Sequence, residues 1–300
     1  MFHVEHFRFD ALSKTEYNWY MPANLGSAPR VLITGASSGI GAAAAIVFAE
    51  AGYDVVIVAR RAKKLMEIEQ SLRTRFPKQS ITHAECDVSS DESVAQLFKR
   101  IAQEKSGLHV LVCNAGYGVY GSVEEVPIGD FRQNMETNFL GVIRCVKGAL
   151  PLLRQAAVQS NDRRGASIVM VSSIVGRRSM PKLASYCASK FALEALSESL
   201  RVELRDERIA VSVINPGVTK TDFADAAVGK RPGSFISSAH AMTSEAVARV
   251  ILKAVEHPKR NRYLTLYGKL CVFLQWLSPK VLDAILLRAW RKANKRSPTQ

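Results

Sequence analysis

From Arg30 onward the chain alternates short apolar runs with longer stretches of helical pattern. The apolar runs are RVLIT (30–34), DVVIVA (54–59), SITHAEC (80–86), HVLVCN (109–114), ASIVMVS (166–172) and IAVSVIN (209–215). Most are β-branched and apolar at consecutive positions, the pattern of strands buried on both faces. Between them, residues near 41–52, 61–75, 91–105, 129–156 and 185–207 read as helices. The alternation predicts an α/β fold: a doubly wound parallel sheet of about seven strands with helices on both faces. No repeat or linker divides residues 29–257, which read as one domain. Residues 1–28 read as an N-terminal extension and residues 258–300 as a helical C-terminal extension, basic and apolar.

Composition narrows the function. Of the 300 residues, 47% are apolar, enough for a sizeable core. The net charge is +14, but ten Lys/Arg and one acid fall after His257, so +9 of it belongs to the C-terminal segment. A nucleic-acid groove would spread its basic residues over the domain, and none is expected here. Five cysteines with no C-x-x-C pair indicate a reducing, cytoplasmic setting. The histidines lack ligand spacing, so no metal site is expected.

The turn TGASSGIG (34–41) joins the first strand to the first helix. Glycines at 35, 39 and 41 permit positive φ and close approach of a ligand. The helix start behind them, with Ser37, Ser38 and Ile40, offers free N–H groups to a pyrophosphate. This makes the fold Rossmann-like. The second strand ends in Ala59, Arg60 and Arg61, where an NAD site carries an acid. Two guanidinium groups suit a ribose 2′-phosphate, so NADP(H) is expected over NAD(H), which stays an option.

In SYCASK (185–190), Tyr186 and Lys190 stand four apart on a predicted helix and share a face. A nearby ammonium is expected to lower the phenol pKa and fit it for proton transfer. With TGASSGIG, CDVSS (86–90), CNAG (113–116), TNFLG (137–141), VSS (171–173), YCASK (186–190) and NPGVTKT (215–221) in this order, the chain resembles the short-chain dehydrogenase/reductase superfamily, in its compact single-domain branch.

The resemblance covers residues 30–256 and implies a hydride transfer between nicotinamide and a carbonyl or secondary alcohol. It implies a catalytic set of Asn138, Ser173, Tyr186 and Lys190. Ser173 would polarise the substrate oxygen, and Asn138 would hold a relay water. It places Asp87 and Val88 by the adenine and Asn114, Ala115 and Gly116 by the adenosine. It puts Pro216, Gly217, Val218 and Thr219 at the nicotinamide, with Tyr186 and Lys190. The loop at about 221–242 becomes a substrate lid, and Met180 and Leu183 become apolar wall residues. Homo-oligomers through the helices near 129–156 and 185–207 are also implied. An epimerase or dehydratase, or a non-catalytic NADPH sensor, are the alternative readings of the scaffold.

Arg177 and Arg178 read as solvated charges or as contacts for an anionic substrate group. The segment 267–296 reads as two apolar helices broken at Ser278-Pro279, neither long enough to span a bilayer. Its tryptophans and flanking Lys/Arg suit peripheral contact with an anionic membrane, and a lipophilic substrate. Packing over the pocket or onto a second subunit is the other reading.

Overall fold

The computed structural model describes residues 28–104, 107–159, 165–223, 226–229 and 241–294. The N-terminal extension up to residue 27 and most of the expected lid, 224–225 and 230–240, lie outside the described residues.

Seven parallel strands form the sheet: β1 (Arg30–Thr34), β2 (Asp54–Ala59), β3 (Ile81–Glu85), β4 (Val110–Cys113), β5 (Ala166–Val171), β6 (Ile209–Asn215) and β9 (Asn261–Tyr263). Their order is β3-β2-β1-β4-β5-β6-β9. The direction of winding reverses between β1 and β4, and ligands of such sheets bind outside the strand C-termini at that point. Two further strands, β7 (Thr219–Lys220) and β8 (Met242–Thr243), pair beside the sheet.

Side-chain alternation sorts the apolar runs into two cores. Leu32, Val56, Leu111 and Ile168 face one layer, with Val94 and Phe98 of α3 (Asp91–Gln103), Val146 and Leu153 of α5 (Gly141–Gln159) and Leu193 and Leu200 of α6 (Ala184–Glu203). Val31, Ile33, Val55 and Ile57 face the other, with Phe48 of α1 (Gly39–Glu50), Leu65 and Leu72 of α2 (Ala62–Arg75) and Ile251 of α7 (Ser244–Glu256). Each such burial contributes about 1.5–3 kcal/mol.

The structure changes two expectations. The stretch 129–156 is not one helix: α4 (Ile128–Met135) passes through a π-helical turn, Glu136–Leu140, into α5. The seventh strand, β9, comes from residues past 257, inside the stretch read as the C-terminal extension. Beyond it, α8 (Leu266–Leu277) and α9 (Pro279–Asn294) meet at Ser278. No helix among the described residues is long and apolar enough to cross a membrane.

Candidate active site

At the switch point, the glycine turn lies against the loop after β4. Gly35 has φ +68°, and a Cβ there would stand 2.8 Å from the Ala115 Cα. A Cβ on Gly41 would stand 2.4 Å from the Gly35 carbonyl oxygen, so this crossing requires glycine. The Asn114 amide donates to the carbonyls of Thr34 at 3.0 Å and Gly35 at 3.2 Å. In return the Thr34 hydroxyl accepts the N–H groups of Asn114 and Ala115. Ser38, the N-cap of α1, makes no side-chain bond to the helix, and the first turn holds no acid. The helix start, with Gly39 and Ile40, therefore keeps donors for an anion.

Arg61 reaches back over this turn. Its guanidinium donates to the Ser37 hydroxyl at 2.8 and 3.0 Å and to the Ser38 hydroxyl at 2.8 Å. Arg60 lines an adjoining open cleft of about 430 Å³ with Glu85, Cys86, Asp87 and Ser93. Burial alone would raise the Asp87 pKa. The Ser89 hydrogen bonds, with Arg60 and Arg144, outweigh it, and the carboxyl lies below its usual range. Val88 is buried, and Gly141 gives it room, since a Cβ there would come within 2.9 Å of it.

Tyr186 and Lys190 sit one turn apart near the start of α6, and Ser173 follows β5. The Ser173 hydroxyl faces the Tyr186 phenol and accepts the Val175 N–H at 3.4 Å. Lys190 is 4% exposed and donates to the Val171 carbonyl at 2.8 Å. Asn138, fully buried, is carried by the π-helical turn, a device common at functional sites. Its Oδ1 accepts the Tyr117 N–H, and its Nδ2 donates to the Tyr117 carbonyl and the Ser189 hydroxyl, each at 3.0 Å. Ser189 in turn donates to the Tyr186 carbonyl at 2.8 Å. A Cβ on Gly116 would stand 2.9 Å from Asn138 Oδ1 and 3.8 Å from Lys190 Nζ, so bare backbone is needed between them.

The electrostatics depart from the expectation for the phenol. Burial pushes the Tyr186 phenol up, and the Ser173 hydroxyl only partly offsets it. Burial also acts on the lysine, bringing its ammonium down to about 8 despite the attraction of Glu194. The ammonium stands over the face of the phenol ring and points its hydrogen bond at Val171, not at the hydroxyl. Desolvation therefore outweighs the through-space lowering that the spacing suggests.

Pro216 and Gly217 approach Ser173 from β6. The Pro216 carbonyl accepts the Ile174 N–H at 3.1 Å, and Gly217 lies against Thr265 and Ile174. Val218 accepts the Met242 N–H at 2.8 Å, and Thr219 donates to the Gly217 carbonyl at 3.2 Å. Leu183 is buried, while Met180 is half-buried. Arg177 and Arg178 are not simply solvated. Arg177 pairs with Glu194 and Glu198, and Arg178 reaches Gln275 of α8 and Asp283 of α9.

Phe223, tilted against Tyr186 at 5.4 Å between centroids, was not expected at the site. Neither was Glu194. The sequence signal for Glu194 is its i+4 spacing from Lys190, which reads as an exposed helical pair until burial is known.

The family model described as short chain dehydrogenase matches residues 29–231, and the chain belongs to that family. Dehydrogenase/reductase SDR family member 7B of Rattus norvegicus is 32% identical over 274 residues, covering 88% of this chain and 82% of its own. An alcohol dehydrogenase from Thermococcus sibiricus, complexed with 5-hydroxy-NADP, superposes with a TM-score of 0.69 at 27% identity, covering 80% of this chain and 96% of its own. A short-chain dehydrogenase/reductase from Burkholderia phymatum in complex with NAD shares the fold, with a TM-score of 0.75 at 24% identity, over 85% of this chain and 95% of its own.

Proposed function

We propose that this protein is an NADP(H)-dependent oxidoreductase that interconverts a carbonyl and a secondary alcohol. The convergence of Ser173, Tyr186, Lys190 and Asn138 beside the glycine turn carries this reading. When bound, a nicotinamide would supply the hydride chemistry. Tyr186 passes the proton to or from the substrate oxygen, and Ser173 donates a hydrogen bond to that oxygen. Lys190 would orient the ribose and support the phenol, and Asn138 would hold a water that connects Lys190 to solvent. Pro216 to Thr219 would flank the nicotinamide.

The residues present fit the cofactor. The uncapped start of α1 and the glycine crossings suit a pyrophosphate, and Asp87, Val88 and Asn114 to Gly116 would border the adenosine. Arg61, held over Ser37 and Ser38, and Arg60 in the adjoining cleft favour a 2′-phosphate. The related structures carry both NAD and NADP-type ligands, so the preference rests on these arginines. Consumption of NADPH across a panel of aldehydes and ketones tests the reaction. A panel without turnover, with NADPH bound, would favour the sensor reading.

Phe223 against Tyr186 and Ile174 next to Ser173 favour an apolar carbonyl compound. The outer face of α8 exposes Leu270, Phe273 and Trp276, the last at 79%, near Lys269 and Lys280. This suits peripheral attachment to an anionic bilayer. Replacing Leu270, Phe273 and Trp276 with Asp should abolish co-sedimentation with anionic liposomes. Such substitutions are cleaner than truncation at 258, which would remove β9 from the sheet. A homo-oligomer formed through α5 and α6 is part of the same reading, and light scattering tests it.

A further inference from the structure

Glu194 is 3% exposed, one turn beyond Lys190 on α6. Three other segments meet its carboxylate. The Arg177 guanidinium, from the turn after Ser173, lies at 2.7 Å. The Asn215 amide nitrogen, in the orientation its neighbours satisfy, donates to Glu194 Oε1 at 2.7 Å and to the Ser173 carbonyl at 2.9 Å. Asn261 of β9, oriented likewise, donates to Oε2 at 3.1 Å, and its oxygen accepts from Arg177 at 3.1 Å. One buried carboxylate thus ties together the helix of Tyr186 and Lys190, the turn of Ser173, and the end of β6 that leads into Pro216.

We propose that Glu194 is a positioning residue for the reaction: it fastens the Ser173 turn and the Asn215 corner to α6 and sets its charge beside Lys190. This rests on the catalytic reading of Lys190 and Ser173 given above. A buried carboxylate is costly unless paired and hydrogen-bonded, and here Arg177 and the two amides fill that need. A packed apolar side chain would hold α6 against the sheet as well. What it could not do is hold the Ser173 carbonyl through Asn215 or oppose the desolvation of the Lys190 ammonium.

The charged and titratable groups facing Lys190 are Glu194 on its own helix, Cys113 from β4 and the Tyr186 ring. Burial draws the Lys190 ammonium down, while Glu194 raises it, with Cys113 acting in the same direction. Glu194 in turn is faced by Arg177, by Arg201 of α6 and by Tyr263 of β9. Removing the carboxylate therefore leaves the Lys190 charge opposed by burial with less compensation, and its titration moves to lower pH.

The test is a Cε chemical-shift titration of protein labelled with 13C-lysine, the Lys190 signal being assigned by its loss in Lys190→Met. Wild type should show a midpoint near 8. Glu194→Gln should move it down by about one unit. Glu194→Asp, which keeps the charge, should restore most of it. A midpoint in folded Glu194→Gln within about 0.2 unit of wild type overturns the proposal. If Glu194→Gln does not fold, Glu194→Leu, which fills a similar volume without charge and leaves the partly exposed Arg177 in place, carries the same readout and the same criterion. The titration needs neither cofactor nor substrate, so it stands if carbonyl reduction fails. Where wild type turns over, Glu194→Gln should lower kcat about tenfold with NADPH affinity unchanged. An unchanged kcat would remove the fastening of Ser173.

Discussion

The Nζ of Lys190 stands 5.7 Å from the centroid of the Tyr186 ring and donates to the carbonyl of Val171, the last residue of β5. The lysine is thus bound to the strand that delivers Ser173, and its charge lies over the face of the phenol. A buried ammonium in this position is poised between function and stability.

Lys190→Met should trade one for the other. Burial lowers the ammonium from 10.5 to about 8, so at pH 7 the folded state carries a charge it disfavours. The folded pKa lies below the unfolded one, so that cost is full below about 8 and is relieved as pH rises toward 10.5. Removing the amine should raise stability at pH 7 by on the order of 2 kcal/mol and abolish turnover. The gain in Tm over wild type should shrink between pH 8 and 10. A Tm that falls in the variant would contradict the balance.

The same group should set a limb of the pH profile. If the ammonium is the working form, kcat/KM for reduction should fall as pH rises through about 8. A profile flat from pH 7 to 9.5 would exclude Lys190 as a titrating participant.

Arg61→Ala removes the guanidinium held over Ser37 and Ser38. The Kd for NADPH should rise about tenfold or more, while that for NADH stays nearly constant. Equal losses for both cofactors would point to damage of the glycine turn instead of a 2′-phosphate contact.

Gly116→Ala places a methyl group 2.9 Å from the Asn138 oxygen. It should displace the carboxamide that ties Tyr117 to Ser189, costing roughly 1–3 kcal/mol in stability. Urea unfolding measures the loss. An unchanged midpoint would mean that this contact relaxes freely.

Much of the sheet was legible because its strands are continuous apolar runs with turn residues between them. Asn261–Tyr263 escaped because three half-buried residues, two of them polar, carry no periodicity; their partner β6 makes them a strand. The π-helical turn was hidden inside an unbroken helical pattern, since the widening that aims Asn138 inward leaves no mark in residue type. The spacing of Tyr186 and Lys190 revealed the pair, but not that burial governs both of them. Arg177 read as a surface charge and Glu194 drew no reading for the same reason: a charge pattern does not say which side chains the fold encloses.

The most direct measurement is single-turnover reduction of a carbonyl substrate by Tyr186→Phe at saturating NADPH. The variant keeps the ring against Phe223 and loses only the hydroxyl that faces Ser173. Turnover should fall by about 10³-fold with the Kd for NADPH unchanged within about twofold. A variant that reduces substrate at the wild-type rate would contradict the assignment of Tyr186 as the proton donor.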